Sequence, residues 1–183
     1  MVSKSLYIVA MGLLGAIIVH LVTLFLLPSL SANNTWTLIV ENTDVGIPQP
    51  INDSIADDRQ NLFLDPMFEV AACRFDLSEG VMRITANGDA LLWTVAVFEP
   101  SGTTIFSAND RIANSRNVDL AIVNQSQLRF ARQNTPDELA QSIVASAQQD
   151  EGFALLRVYA PDPSWKSSAK KFLDSMRCEF LTF

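Results

Sequence analysis

A chain of 183 residues, 49% of them hydrophobic and with a formal net charge of −7, has room for one ordinary domain plus an anchor. Lys4 stands alone before Arg59; setting it aside leaves 12 of the 13 basic residues against 20 acidic ones, so the remainder carries about −8. Such a domain is repelled by anionic lipid and nucleic acid and offers no basic groove, which excludes nucleic-acid binding.

Leu6–Leu27 reads LYIVAMGLLGAIIVHLVTLFLL, without Asp, Glu, Lys, Arg or Pro. As a helix it would extend roughly 33 Å, enough for a hydrocarbon core of about 30 Å. Residues 1–31 are therefore read as a transmembrane anchor, with the helix over about 6–27 and Pro28 marking its end. The rival reading is a cleaved secretory signal, for which Ser29 and Ser31 are suitably small. The apolar run exceeds the roughly 7–15 residues of a signal core, which favours an uncleaved signal anchor. Lys4 and the terminal amine precede the helix, so the positive-inside rule places the N-terminus in the cytoplasm and the rest outside. Gly12, Gly15 and Ala16 lie close to one helix face, which either would let a second helix approach or reflects only how common small residues are in membrane helices. His20, the single histidine, falls inside the apolar run, where an imidazole can serve a helix–helix hydrogen bond or simply bond locally.

Residues 32–66 read as a tether, rich in Asn, Pro and Asp. Within it Trp36–Val40 is a short apolar patch, either a turn resting on the lipid interface or a first edge strand. From residue 67 to 183 the texture changes to strand-length apolar runs separated by turn residues. Phe68–Leu77, Val81–Ala86, Ala90–Phe98, Thr103–Ser107, Val118–Asn124, Leu128–Gln133 and Phe153–Tyr159 are expected strands, with Asn87-Gly88-Asp89 the strongest turn signal. Thr135, Pro136 and Glu138 resemble a capping box, so Thr135–Ala147 is expected to be a short helical turn followed by a strand. Asp162 then Pro163 open a helix over about 163–177, with Trp165, Ala169, Phe172, Leu173 and Met176 on one face. The expected class is mainly β (α+β): a single N-terminal transmembrane helix, then an antiparallel β-sandwich-like domain with a C-terminal amphipathic helix.

Cys73 lies on the first good strand and Cys178 at the end of the final helix, both on the outer side, where disulfides persist. A structural disulfide is the favoured reading, with two free thiols or a redox pair as alternatives; no Cys-x-x-Cys motif is present. The outer domain has no histidine, which removes the usual nucleophilic triads and most transition-metal ligand sets, and no glycine-rich phosphate loop occurs. Asp57–Asp58, Asp137–Glu138 and Asp150–Glu151 are the paired carboxylates, all in expected loops. No catalytic residue, cofactor or metal is assigned. Asn109, Asp110, Arg111 and Trp165 crowd polar and aromatic groups at loop ends and are the candidate interaction surface.

Several stretches together resemble short bacterial inner-membrane proteins of the domain-of-unknown-function 1254 family. They are Asp65-Pro66-Met67-Phe68, Ala71–Ser78, Trp93-Thr94-Val95, Asn109-Asp110-Arg111, Asp150-Glu151-Gly152 and Ala160–Trp165, along with the N-terminal helix and its histidine. The resemblance implies the inner membrane of a Gram-negative bacterium, a periplasmic domain and a companion membrane protein of the domain-of-unknown-function 1214 family. It supplies no catalytic residue. The leading expectation is a non-enzymatic envelope protein that binds a membrane partner. The alternatives are a lipid- or glycan-binding module with a pocket near Trp93 and Phe153, and a carboxylate-dependent hydrolase.

Overall fold

The computed structural model describes residues 2–51, 65–113, 116–133 and 139–182. The acidic pairs Asp57–Asp58 and Asp137–Glu138, and the expected capping box at Thr135–Glu138, lie outside the described residues.

The first element, α1 (Val2–Asn42), is one continuous helix of 41 residues. Its stretch Lys4–Leu27 is apolar enough to cross a membrane, and none of it is buried among the described residues. Pro28 lies inside the helix, and residues 32–42, expected to begin a tether, continue it. A proline removes one N–H donor and bends a helix, but the ladder resumes beyond it if the next turns have reason to be helical. Here tertiary packing supplies that reason. Ile39 is buried against Ile51, Val70, Ala72 and Phe153, with Trp36 packed beside them. Trp36–Val40 is thus a docked helical turn, neither a turn on the lipid nor an edge strand.

The edge strand is instead β1 (Gln49–Ile51), antiparallel to β2 (Phe68–Asp76). Then follow β3 (Val81–Ala86), β4 (Trp93–Phe98), β5 (Thr104–Asn109) and β6 (Val118–Val123). Next come α2 (Gln125–Gln133), β7 (Ile143–Ser146), β8 (Glu151–Tyr159), α3 (Pro163–Asp174) and β9 (Arg177–Leu181). One sheet has the order β1-β2-β8-β4-β5 and is antiparallel throughout; the other has the order β7-β6-β3-β9, with β6 and β7 parallel. The class is α+β with two sheets rich in antiparallel pairs. Residues from both sheets meet in one cluster, Phe75, Val95 and Leu156 from the first and Met82, Ile84 and Ile122 from the second. α3 adds Ala169, Phe172 and Leu173 to it.

Two expected elements change type. Leu128–Gln133 belongs to α2, where Leu128 and Ala131, one helical turn apart, pack on Val81, Ala121 and Val123. The last helix stops at Asp174, three residues short of the expected 177, because Ser175 forms its C-cap and the chain turns at once into β9. Cys178 therefore sits on β9, paired opposite Ile84 of β3, and not on a helix. The expected strand after residue 142 is present as β7.

Candidate functional site

Three features bear on function: the apolar helix with its junction to the domain, the disulfide, and the loop-end polar groups.

At the junction, the carbonyls that end α1 need partners, because the last four have none within a helix. Asn42 Nδ2 donates to Leu38 O at 2.9 Å and Thr43 Oγ1 to Ile39 O at 2.6 Å. Arg74 Nη1, from near the end of β2, donates to Val40 O at 3.4 Å and to Thr43 O at 3.3 Å. A guanidinium at this position also meets the negative end of the helix dipole. Gly46 N donates to Arg74 O at 2.9 Å and Val45 bridges Arg74 in parallel, so the chain leaving α1 is stitched to the same residue. On the other side, Trp36 faces Phe153 with ring centroids 6.1 Å apart, and Phe153 stacks on Phe98 at 5.0 Å. The last turns of α1 are docked on the first sheet.

Replacing Arg74 by Ala should remove the cap while leaving the aromatic contacts. A loss of about 1 kcal/mol is expected locally, read as roughly five-fold faster hydrogen exchange of the amides at the end of α1. Unchanged protection there would refute the cap.

The predicted helix-contact residues Gly12, Gly15, Ala16 and His20 are all solvent-facing on α1. A Cβ added at Gly12 or Gly15 would meet nothing within 4 Å. The structure leaves that face open.

Cys73 and Cys178 are joined. The bond runs from β2 in one sheet to β9 in the other, with Cα atoms 6.6 Å apart, so it links the two sheets to each other. The expected link from helix to sheet is replaced because β9 occupies the place where the helix was expected to continue.

Asn109 ends β5, and Asp110 and Arg111 follow it. Asn109 Oδ1 accepts from Arg111 N at 3.1 Å, and Asp110 N donates to Trp93 O, so this motif is first a turn. Asp110 Oδ1 is buried without a partner among the described residues. Trp165 lies in the first turn of α3, 37% exposed, behind the N-cap where Asp162 accepts from Ser164 N at 2.8 Å. The Ser164 hydrogen bonds hold the Asp162 carboxyl below its ordinary range. Asp150 accepts from Asn124 Nδ2 at 2.9 Å and Glu151 begins β8, so this acidic pair has structural duties. Trp93 and Phe153 belong to separate buried clusters. An open groove of about 370 Å³ lies between Ser78–Val81, α2 and Leu181–Thr182.

A polar cluster that the sequence did not announce crosses the second sheet. Arg83 Nη2 and Nε donate to Asp119 at 2.8 and 3.0 Å, and Ser142 Oγ donates to the same carboxylate at 2.6 Å. Burial alone would raise the Asp119 carboxyl, but the hydrogen bonds from Arg83 and Ser142 and the charge of Arg83 outweigh it and hold it low. A carboxyl depressed in the folded state adds stability above its unfolded value, and that stability is lost as pH falls below about 4. Asp119→Asn should therefore flatten the acid limb of a stability-versus-pH curve and lower stability at neutral pH. An acid limb identical to that of the parent protein would show that the cluster contributes nothing.

With this geometry in view, comparison with known proteins adds the following. The fold has been seen before. Solved structures similar to this chain include the VPA0106 protein from Vibrio parahaemolyticus, at 11% identity and a TM-score of 0.57 over 82% of this chain. An uncharacterised protein from Burkholderia cenocepacia matches at 15% identity and a TM-score of 0.51 over 83% of this chain. This chain spans 35% and 40% of the length of those two. At such identities the likeness is one of fold. No family model matches the chain, and no curated protein matches it.

Proposed function

We propose that this is a membrane-anchored envelope protein whose periplasmic domain binds a partner protein and performs no catalysis. The observation that carries the reading is α1 itself. Its Lys4–Leu27 stretch turns apolar side chains outward over its whole length, while its last turns are fixed in the domain by Trp36, Ile39 and the Arg74 cap. A soluble domain would gain nothing from such a helix; a bilayer would bury it. The Cys73–Cys178 bond agrees with an oxidising compartment outside the cytoplasm. On this reading the helix is an uncleaved signal anchor in the bacterial inner membrane, with its N-terminus in the cytoplasm. We read the domain as a two-sheet sandwich flanked by α3 as an amphipathic helix, and place it with the domain-of-unknown-function 1254 family.

The partner is a second membrane protein, of the companion domain-of-unknown-function 1214 type, approached through the open face at Gly12, Gly15, Ala16 and His20 or through Asn109–Arg111 and Trp165. Solubilisation in mild detergent followed by affinity purification and mass spectrometry should recover one membrane protein in fixed proportion. Recovery of the chain alone, monodisperse and monomeric, would overturn the partner reading. The groove beside Phe130, at about 370 Å³, keeps a second reading alive, a binding site for a small lipid or glycan. Native mass spectrometry of the detergent-purified chain would show a retained ligand in that case.

A further inference from the structure

We propose that the β5 side of the domain lies directly on the lipid headgroups of the membrane that α1 spans. The inference rests on the reading of α1 as an anchor and adds to it an orientation and a contact surface.

The route of α1 across the first sheet gives the direction. Trp36 touches Phe153 of β8, which stacks on Phe98 of β4. Ile39, one turn later, packs among Ile51 of β1 and Val70 and Ala72 of β2. Beyond that, Arg74 of β2 holds the helix end. In the strand order β1-β2-β8-β4-β5, the helix therefore runs from the β4 side toward the β1 side, and its earlier residues leave the sheet past β5.

Helix geometry gives the distance. From β8 to β5 is two strand spacings, about 10 Å. At about 1.5 Å per residue this corresponds to six or seven residues, counted back from Trp36 to roughly position 29 or 30. The apolar span closes at Leu27. The edge of the sheet thus falls level with the headgroup layer, which adds about 5–7 Å to each side of the hydrocarbon.

The chemistry of that side fits. The domain is strongly acidic, yet after Glu99, which opens the β4–β5 turn, Pro100–Asn109, the rest of that turn and all of β5, contains no charged residue. β7, the edge of the second sheet, runs close to β5, and Leu139–Gln149 around it is likewise uncharged. The opposite edges carry the usual protection against strand pairing: Pro50 in β1, and Arg177 and Glu179 in β9. β5 has six residues and one irregularity near its start, opposite Val97 and Phe98, so most of its outer edge is free to pair. A headgroup layer covers that edge. It also forbids edge pairing between copies, since the two-fold axis of an antiparallel β5–β5 pair would point one anchor away from the membrane.

The test uses the full chain in lipid nanodiscs that carry a gadolinium-chelating headgroup, with one nitroxide on an introduced cysteine. The native cysteines are joined and do not react. Labels at Ser101→Cys and Ser107→Cys should show relaxation enhanced several-fold over a label at Glu179→Cys on the opposite edge. A label at Leu14→Cys should report the oxygen-rich, chelate-poor interior of the bilayer. If Leu14 lies in the bilayer but positions 101 and 107 relax no faster than 179, the inference falls and the anchor stands. If Leu14 lies outside the bilayer, the anchor reading falls and this inference with it.

Discussion

Breaking the Cys73–Cys178 bond should cost the domain more stability than any single surface change, about 4–5 kcal/mol if the loop-entropy relation holds for a separation of 105 residues. The magnitude follows from what the cross-link removes from the unfolded chain, since β2 and β9 are separated by almost the whole domain. The native state also depends on it, because β9 is an edge strand held laterally by β3 alone. The double variant Cys73→Ala, Cys178→Ala should unfold at lower denaturant than the oxidised protein by an amount corresponding to several kcal/mol, and reductant should have no effect on it. Equal midpoints for the variant and the oxidised parent would show that the bond stabilises nothing. A single Cys73→Ser change is a poorer probe, since it buries a hydroxyl at a fully enclosed site.

Trp93 is the second position of large effect. It opens β4, is 1% exposed, and belongs to the cluster shared by both sheets. Its indole Nε1–H donates to Arg116 O at 2.6 Å, tying the loop before β6 to the sheet. Trp93→Ala removes the largest buried side chain and leaves a cavity, for which about 3–5 kcal/mol is the usual cost. Trp93→Phe keeps most of the apolar volume but orphans the Arg116 carbonyl, which predicts an intermediate loss of about 1–3 kcal/mol. Urea unfolding of both variants separates the two contributions. If Phe were as costly as Ala, packing volume would be irrelevant at this site, and the core described above would be wrong.

Much of this architecture is legible in the residues. The apolar run of α1 is a composition signal that no packing detail can hide. β3, β4 and β8 follow alternation or continuous apolarity between clear turns, and Asp162-Pro163 announces α3. The errors share a physical cause, the override of local signals by tertiary contacts. Pro28 and the polar residues after it argue against a helix, yet Trp36 and Ile39 acquire a sheet to pack on, which no local window contains. α2 was visible in principle. Asn124 Oδ1 accepts from Gln127 N while Gln127 Oε1 accepts from Asn124 N, a reciprocal cap written in the sequence as Asn-x-x-Gln. Strand-like alternation in Leu128–Gln133 obscured it. β9 is five residues long and starts two residues after a helix, too short for periodicity to distinguish it from a frayed helical end. The Arg83–Asp119–Ser142 cluster depends on strand register between β3 and β6, which pairs Arg83 with Ala121 and Thr85 with Asp119; residue spacing alone does not reveal register.

The continuity of α1 also bears on mechanics. A domain hung on a loose cord swivels freely, and its orientation carries no information about its anchor. Here nothing breaks α1 between its apolar stretch and the turns docked on the sheet: its own Trp36 and Ile39 pack on the strands, and Arg74 of β2 caps its end. If α1 is seated in a bilayer as proposed, turning it by one residue position would sweep the domain through about 100° around the same axis. Whatever fixes the azimuth of the span, such as a second helix seated on Gly12 and Ala16, thereby dictates which wall of the domain its neighbour meets. On the proposed reading the apolar stretch of α1 would work as a shaft, and an extra residue inserted between Leu27 and Trp36 would re-aim the whole domain without altering a single contact inside it.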